Sequence, residues 1–100
     1  MRVIADSSLR RFGLRHSAAR SALEHWRQVA RAASWQSTQD VLGSFSKAKV
    51  LNAERVRFEI AGGNFRLIVA FDFRAQIAFI KFIGTHSEYD AVDALTVSLF

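Results

Sequence analysis

The sequence predicts an α+β fold in which two N-terminal helices pack on one face of a small, mainly antiparallel sheet, and a short C-terminal helix follows. Three observations support this prediction. Apolar side chains recur at helical spacing between residues 17 and 33, and from Arg55 onward they alternate with polar ones. The polar segment GTHSEYD, residues 84–90, then follows the last alternating run. We expect a single domain spanning residues 1–100, since a chain of this length has little room for a second core.

The N-terminal half is predicted to be mostly helical. RVIA, residues 2–5, is typical of a short strand, and the following segment predicts a first helix with Ser7 as its N-cap. A second helix is expected over residues 17–33, and residues 38–43 predict one short helical turn. The apolar stripe of the second helix comprises Ala19, Ala22, Leu23, Trp26, Val29, Ala30 and Ala33.

The C-terminal half predicts three antiparallel strands, near residues 55–60, 65–73 and 76–83. Gly62-Gly63 and Arg74-Ala75 supply the two turns between them. These turns set a strand register in which one face of the sheet is apolar and needs to be covered by the helices. The apolar face is predicted to carry Val56, Phe58, Leu67, Val69, Ile80 and Phe82. The opposite, basic face is predicted to carry Arg57, Arg66 and Lys81, with Glu59 opposite Arg66 at its margin.

Positive charge is concentrated in the first half of the chain. The formal net charge is +5, and residues 1–50 hold nine Lys and Arg against three Asp and Glu. Arg20, Arg27 and Arg31 share one face of the second helix and form a basic ridge. An acidic partner is therefore expected, with nucleic acid the leading candidate, although a solvated helix surface would give the same pattern.

Composition excludes several classes of function. Cysteine is absent, which removes disulfides and thiolate chemistry and fits a cytoplasmic protein. The chain has no apolar run long enough for a signal peptide or a membrane span, so we expect no membrane association. We find no glycine-rich phosphate loop, nucleophile elbow or metal-binding motif.

The segment after the last strand brings proton-transferring groups to the edge of the basic face. RNA can be cut by its own 2′-hydroxyl, which requires a base, an acid and cations that stabilise the phosphoryl oxygens. His86 can titrate near neutral pH, and Tyr89 can carry a proton or stack on a base. Arg57, Arg66 and Lys81 are suited to holding phosphate. This set favours a metal-free ribonuclease site.

The same residues also have structural interpretations. His86 could bond a backbone group at a helix start, and Thr85 with Glu88 fits a capping box. Arg66 could serve only as the cross-strand ion-pair partner of Glu59. Asp90 lies in the first turns of a helix, where an acidic residue is favourable in any case. Both interpretations stay open on these residues alone.

Five segments carry a family resemblance. They are RVI (2–4), SALEHW (21–26), WQSTQDV (35–41), RVRFEIAGGNFRLIVAFDF (55–73) and FIKFIGTHSEYDAVD (79–93). Together they resemble the HigB toxin family, a branch of the RelE-like toxins of bacterial toxin–antitoxin modules. The resemblance covers nearly the whole chain and implies a RelE-like fold.

The resemblance also implies an activity and partners. It implies an mRNA endoribonuclease that acts on translated mRNA at the ribosome, without a metal or other cofactor. It further implies neutralisation by a cognate helix-turn-helix, HigA-like antitoxin. The catalytic residues implied at matching motif positions are Arg66, Lys81, His86, Tyr89 and Asp90. RNA binding by Arg57 is predicted from strand register, and by Arg27 and Arg31 from charge.

Two other functions fit the same features. A non-catalytic module could bind RNA or the ribosome through the basic face. Alternatively, a protein-interaction domain could use the basic ridge only to dock an acidic antitoxin segment.

Overall fold

The computed structural model describes residues 1–100, which form a five-stranded mixed sheet and four helices. The helices are α1 (Asp6–Arg15), α2 (Ser17–Ala32), α3 (Thr38–Ser44) and α4 (His86–Asp90). The strands are β1 (Arg2–Ile4), β2 (Lys49–Val50), β3 (Arg55–Ile60), β4 (Phe65–Asp72) and β5 (Ile77–Thr85). The sheet order is β1-β5-β4-β3-β2, with β1 parallel to β5 and the other pairs antiparallel. The predicted α+β fold, with its short C-terminal helix, is confirmed. None of the helices has the length and apolar character needed to cross a membrane.

Helices α1 and α2 form a hairpin that covers the apolar face of the sheet. Their buried side chains join the apolar residues of β3, β4 and β5 in one core, as predicted. The two helices approach closely near the hairpin's connection, where a Cβ atom on Gly13 would lie 3.5 Å from the Cα atom of Arg20. The core residues of the hairpin and the two central strands include Leu9, Phe12, Leu23, Trp26, Val56, Phe58, Leu67 and Val69.

The start of α1 differs from the prediction. The helix begins at Asp6, its N-cap position is Ala5, and no side chain caps it, so Ser7 is not the N-cap. The Asp6 carboxylate instead accepts hydrogen bonds from Nε and Nη2 of Arg27 at 2.6 and 2.7 Å, and from Nη2 of Arg31 at 2.7 Å. These hydrogen bonds, led by that from Arg27, hold the pKa of Asp6 below its ordinary value. The same contact raises the pKa of Arg27.

We expect Asp6→Asn to lower the free energy of unfolding at neutral pH by about 2 kcal/mol, because it removes charge-assisted hydrogen bonds to a mostly buried guanidinium. A depressed pKa contributes stability above the ordinary pKa and loses it as pH falls. The difference between the parent and the variant should therefore shrink below about pH 4. Urea unfolding of both proteins at several pH values measures it. Glu24→Gln, in an exposed ion pair with Arg20, is the control and should change stability by less than about 0.5 kcal/mol. Equal stability of Asp6→Asn and the parent at neutral pH would contradict this.

The strand register is confirmed in part. Between β3 and β4, Glu59 pairs with Arg66 as predicted. Between β4 and β5 the predicted register holds over Val69–Asp72, but Ile68 pairs with Phe82 rather than with Lys81. An irregularity there leaves Lys81 as an extra residue on β5, a β-bulge that shifts the remaining pairs by one.

The bulge corrects one prediction about the sheet faces. Phe82 was predicted on the helix-covered face, but as the partner of Ile68 it lies on the opposite side, against Tyr89. Two further differences concern the strands. β5 continues to Thr85, and β2 forms where no strand was predicted.

The C-terminal segment, residues 91–100, crosses the sheet on its polar side. Nη1 of Arg55 donates hydrogen bonds to the carbonyl oxygens of Ala94 and Val97, at 3.1 and 2.9 Å. Further along, the backbone N–H of Leu99 donates to the carbonyl oxygen of Lys81 at 2.9 Å. This segment therefore spans from β3 to β5 and borders the polar face on one side.

Candidate functional site

The polar face of the sheet is organised in three cross-strand rows. The C-terminal segment occupies the first row, where Arg55 holds it. Helix α4 continues from β5 beyond the third row. The second and third rows lie between these two boundaries and form the candidate site. The rows are Arg55–Ala70–Phe79, Arg57–Ile68–Phe82 and Glu59–Arg66–Gly84.

Two arginines from neighbouring rows meet one tyrosine. The guanidinium carbons of Arg57 and Arg66 lie 5.7 and 5.9 Å from the centroid of the Tyr89 ring, within the range of cation–π contacts. Arg66 also donates a 2.9 Å hydrogen bond from Nη1 to Glu59, so the predicted cross-strand ion pair is confirmed. The Nε–H groups of both arginines are buried and have no hydrogen-bond partner. The site thus contains two cations beside a phenol.

The start of α4 places Tyr89 over the sheet. Thr85 Oγ1 accepts a hydrogen bond from the N–H of Glu88, and the Glu88 carboxylate accepts one from the N–H of Thr85, which confirms the predicted capping box. The hydrogen bond from the Thr85 N–H lowers the pKa of Glu88. A Cβ atom at Gly84 would lie 2.6 Å from Phe82 Cζ and 3.1 Å from Glu88 Oε1. A side chain at position 84 would therefore have to displace Phe82 or Glu88.

His86 and Asp90 form a pair on the exposed side of α4. His86 Nδ1 lies 3.1 Å from Asp90 Oδ2, and their side chains are 55% and 62% exposed. The backbone N–H of His86 donates to the carbonyl oxygen of Asn64 at 3.0 Å. The His86 side chain is instead exposed, and no hydrogen bond joins it to Arg57, Arg66 or Tyr89.

Lys81 lies apart from the two arginines. It is the extra residue of the bulge, and its Nζ lies 5.6 Å from the centroid of the Phe79 ring in the first row. Its carbonyl oxygen is the one that binds Leu99. The structure therefore places Lys81 at the rim of the site, beside the C-terminal segment.

Arg27 and Arg31 lie on the helical side of the sheet. Both are bound to Asp6, and the Arg27 side chain is only 16% exposed. The structure gives them a contact that fixes α1 to α2, and it does not bring them near Arg57 or Arg66. RNA binding by this pair stays a prediction.

Sequence reasoning did not single out Phe82 or Arg55 as parts of the site region. Phe82 lies 6.2 Å from the Tyr89 ring, centroid to centroid, and supports it from the sheet. Arg55 anchors the bordering segment. The sequence signal for Arg55 was the alternation in RVRFEI. Arg55 and Arg57 are two residues apart on one strand and therefore share a face of the sheet. No group of three or more His, Cys, Asp or Glu side chains is arranged to hold a metal ion.

Comparison with known protein families matches residues 19–92 to HigB_toxin, described as the RelE-like toxic component of a toxin-antitoxin system. The chain belongs to the HigB toxin family. The match runs from α2 through α4 and includes the arginine pair and Tyr89, whereas α1 lies outside it. Comparison with curated proteins finds no match. Membership of the HigB toxin family makes this protein the toxin of a toxin–antitoxin system and implies a cognate antitoxin as its partner.

Proposed function

We propose that this HigB toxin is an mRNA endoribonuclease that cuts translated mRNA at the ribosome, in the cytoplasm. The observation that carries the proposal is the pair of guanidiniums beside Tyr89, whose carbons lie 5.7 and 5.9 Å from the centroid of its ring. Phosphate oxygens are the acceptors that such planar donors bind best. The RelE-like character of the family supports ribonuclease activity in general.

In the proposed reaction, the 2′-hydroxyl oxygen attacks the adjacent phosphorus and the 5′-oxygen of the next nucleotide leaves. The new bond closes a 2′,3′-cyclic phosphate, and one proton moves from the 2′-oxygen to the 5′-oxygen. Arg57 and Arg66 donate to the non-bridging oxygens, where negative charge grows as phosphorus becomes five-coordinate. These two fixed cations supply the charge stabilisation, so the reaction needs no metal step.

Proton transfer is the proposed role of Tyr89 and His86. The Tyr89 ring lies within about 6 Å of both guanidinium carbons, which supports a role for its hydroxyl beside a phosphate that these arginines bind. Asp90 Oδ2 lies 3.1 Å from Nδ1 of His86, so Nε2 is the ring nitrogen proposed to exchange the proton. One of the two groups accepts the 2′-hydroxyl proton and the other supplies a proton to the leaving oxygen. Lys81, at the rim, contacts the backbone of a flanking nucleotide.

The direct test is to map new 5′ ends on cellular messages after expression of the toxin. We expect new ends within translated coding regions, and far fewer in cells that express Tyr89→Phe at the same level. Growth arrest without any new 5′ ends would contradict cleavage. It would favour a module that only binds RNA or the ribosome through the same face.

Binding of a short RNA should depend strongly on salt, because it rests on contacts between cations and phosphates. We expect Arg57→Ala to reduce the slope of log affinity against log salt concentration by about one, the value for one lost phosphate contact. Fluorescence anisotropy at four or more salt concentrations measures the slope. Arg74→Ala, at an exposed arginine in the β4–β5 turn, is the control and should leave the slope unchanged. Affinity that does not vary with salt would contradict a phosphate-binding face.

A further inference from the structure

A groove with a volume of about 320 Å³ runs along the exposed side of the α1–α2 hairpin. Its floor is apolar, since Leu9 and Leu23 lie beneath it. Leu14 lines it from α1 and is 72% exposed, more than any other large apolar side chain of the protein. An exposed leucine beside an apolar floor marks a surface where an apolar side chain of a partner can be buried.

The rim of the groove is basic. Arg10, Arg11, Arg20 and Arg27 line it, against the single acidic residue Glu24. Arg27 is neutralised by Asp6, and Arg20 lies 3.6 Å from Glu24. Arg10 and Arg11 make no ion pair, so their charge is available to a partner.

We propose that this groove docks an acidic, amphipathic segment of the cognate antitoxin. Apolar side chains of that segment pack on Leu14 and on the floor over Leu23, and its carboxylates bind Arg10 and Arg11. Charge complementarity identifies the partner as acidic, and the apolar floor identifies it as a polypeptide, because an RNA backbone gains nothing from Leu14. The groove is also on the helical side of the sheet, away from Arg57 and Arg66.

The inference rests on membership of the toxin family and is independent of RNA cleavage. Helix α1 lies outside the matched residues 19–92, so Leu14, Arg10 and Arg11 belong to a part of this chain that the family comparison does not describe.

The test measures binding of purified toxin variants to the antitoxin, taken as the neighbour-encoded protein that relieves growth arrest. All variants carry Tyr89→Phe, so that they can be produced without toxicity and cleavage does not affect the readout. We expect Leu14→Glu to weaken binding about 10–100-fold, the usual loss at an interface hot spot. Arg10→Glu combined with Arg11→Glu should weaken it similarly, and this loss should diminish at high salt.

Two controls match these changes outside the groove. Leu95→Glu alters another exposed leucine, and Arg74→Glu reverses another exposed arginine; both should bind like the parent. Thermal unfolding of every variant checks that it is folded. Leu14→Ala is a milder substitution and should weaken binding less than Leu14→Glu.

Unchanged antitoxin binding by folded Leu14→Glu and by the double arginine variant would overturn the proposal. It would also be overturned if the double arginine variant lost only ribosome or RNA binding, since the groove would then be a nucleic-acid surface. The proposal would also be overturned if no neighbour-encoded protein bound the toxin. None of these outcomes bears on whether the toxin cuts RNA.

Discussion

Replacing Tyr89 by phenylalanine should slow mRNA cleavage by about 10²–10⁴-fold, the usual contribution of a positioned acid or base. The substitution removes only the hydroxyl. The ring remains to pack on Phe82 and beside the two guanidiniums, so the fold and RNA binding should persist. Single-turnover cleavage of message on purified ribosomes measures the effect, with ribosome co-sedimentation to confirm binding.

His86→Ala should have an effect in the same range, because it removes the other proton-transferring group. Asp90→Asn provides an intermediate case. It keeps the shape of the residue but weakens the contact that orients His86, so it should slow cleavage less than His86→Ala. If Tyr89→Phe, His86→Ala and their combination all cut at the parent rate, the active site lies elsewhere. GTHSEYD would then be only a well-capped helix start.

Arg66→Lys should lower the cleavage rate by about 10²–10³-fold, the typical cost of losing a donor that stabilises transition-state charge. Lysine keeps the positive charge and the ion pair with Glu59, but it loses the planar fork that binds two phosphate oxygens at once. Stability should therefore change little. Arg66→Ala should lose both cleavage and stability. Single-turnover rates and urea unfolding separate the two effects.

Glu59→Gln is the matched control for this prediction. It breaks the ion pair but leaves the guanidinium of Arg66 in place, so it should lower stability while cleavage stays near the parent rate. The opposite pattern, with cleavage lost in Glu59→Gln and retained in Arg66→Lys, would show that only the ion pair matters.

The strand register illustrates what the sequence could and could not predict. Gly62 and Gly63 adopt the left-handed backbone conformation that the tight turn requires, so the β3–β4 register followed from the turn. In β5 the pattern FIKFI has apolar pairs on both sides of Lys81. Alternation fits either register there, and nothing in the pattern reveals the extra residue. That ambiguity put Phe82 on the wrong face.

Contacts between residues far apart in the sequence likewise limited how much of the candidate site could be predicted. Arg57, Arg66 and Tyr89 could be brought together from strand alternation and the capping box, because both are local rules. Arg27, in contrast, binds Asp6, 21 residues earlier in the chain, and helix periodicity gives no sign of such a partner. The C-terminal segment is held through backbone carbonyl groups, which carry no sequence signature.

The most direct test of the cleavage chemistry is the end groups of the RNA fragments that the purified toxin produces on programmed ribosomes. Attack by the 2′-hydroxyl predicts a 5′-hydroxyl on the downstream fragment and a 2′,3′-cyclic or opened phosphate on the upstream one. Tyr89→Phe should yield the same ends about 10²–10⁴-fold more slowly. Fragments with a 5′-phosphate and a 3′-hydroxyl would contradict the proposed chemistry, because they require attack by water on the phosphorus.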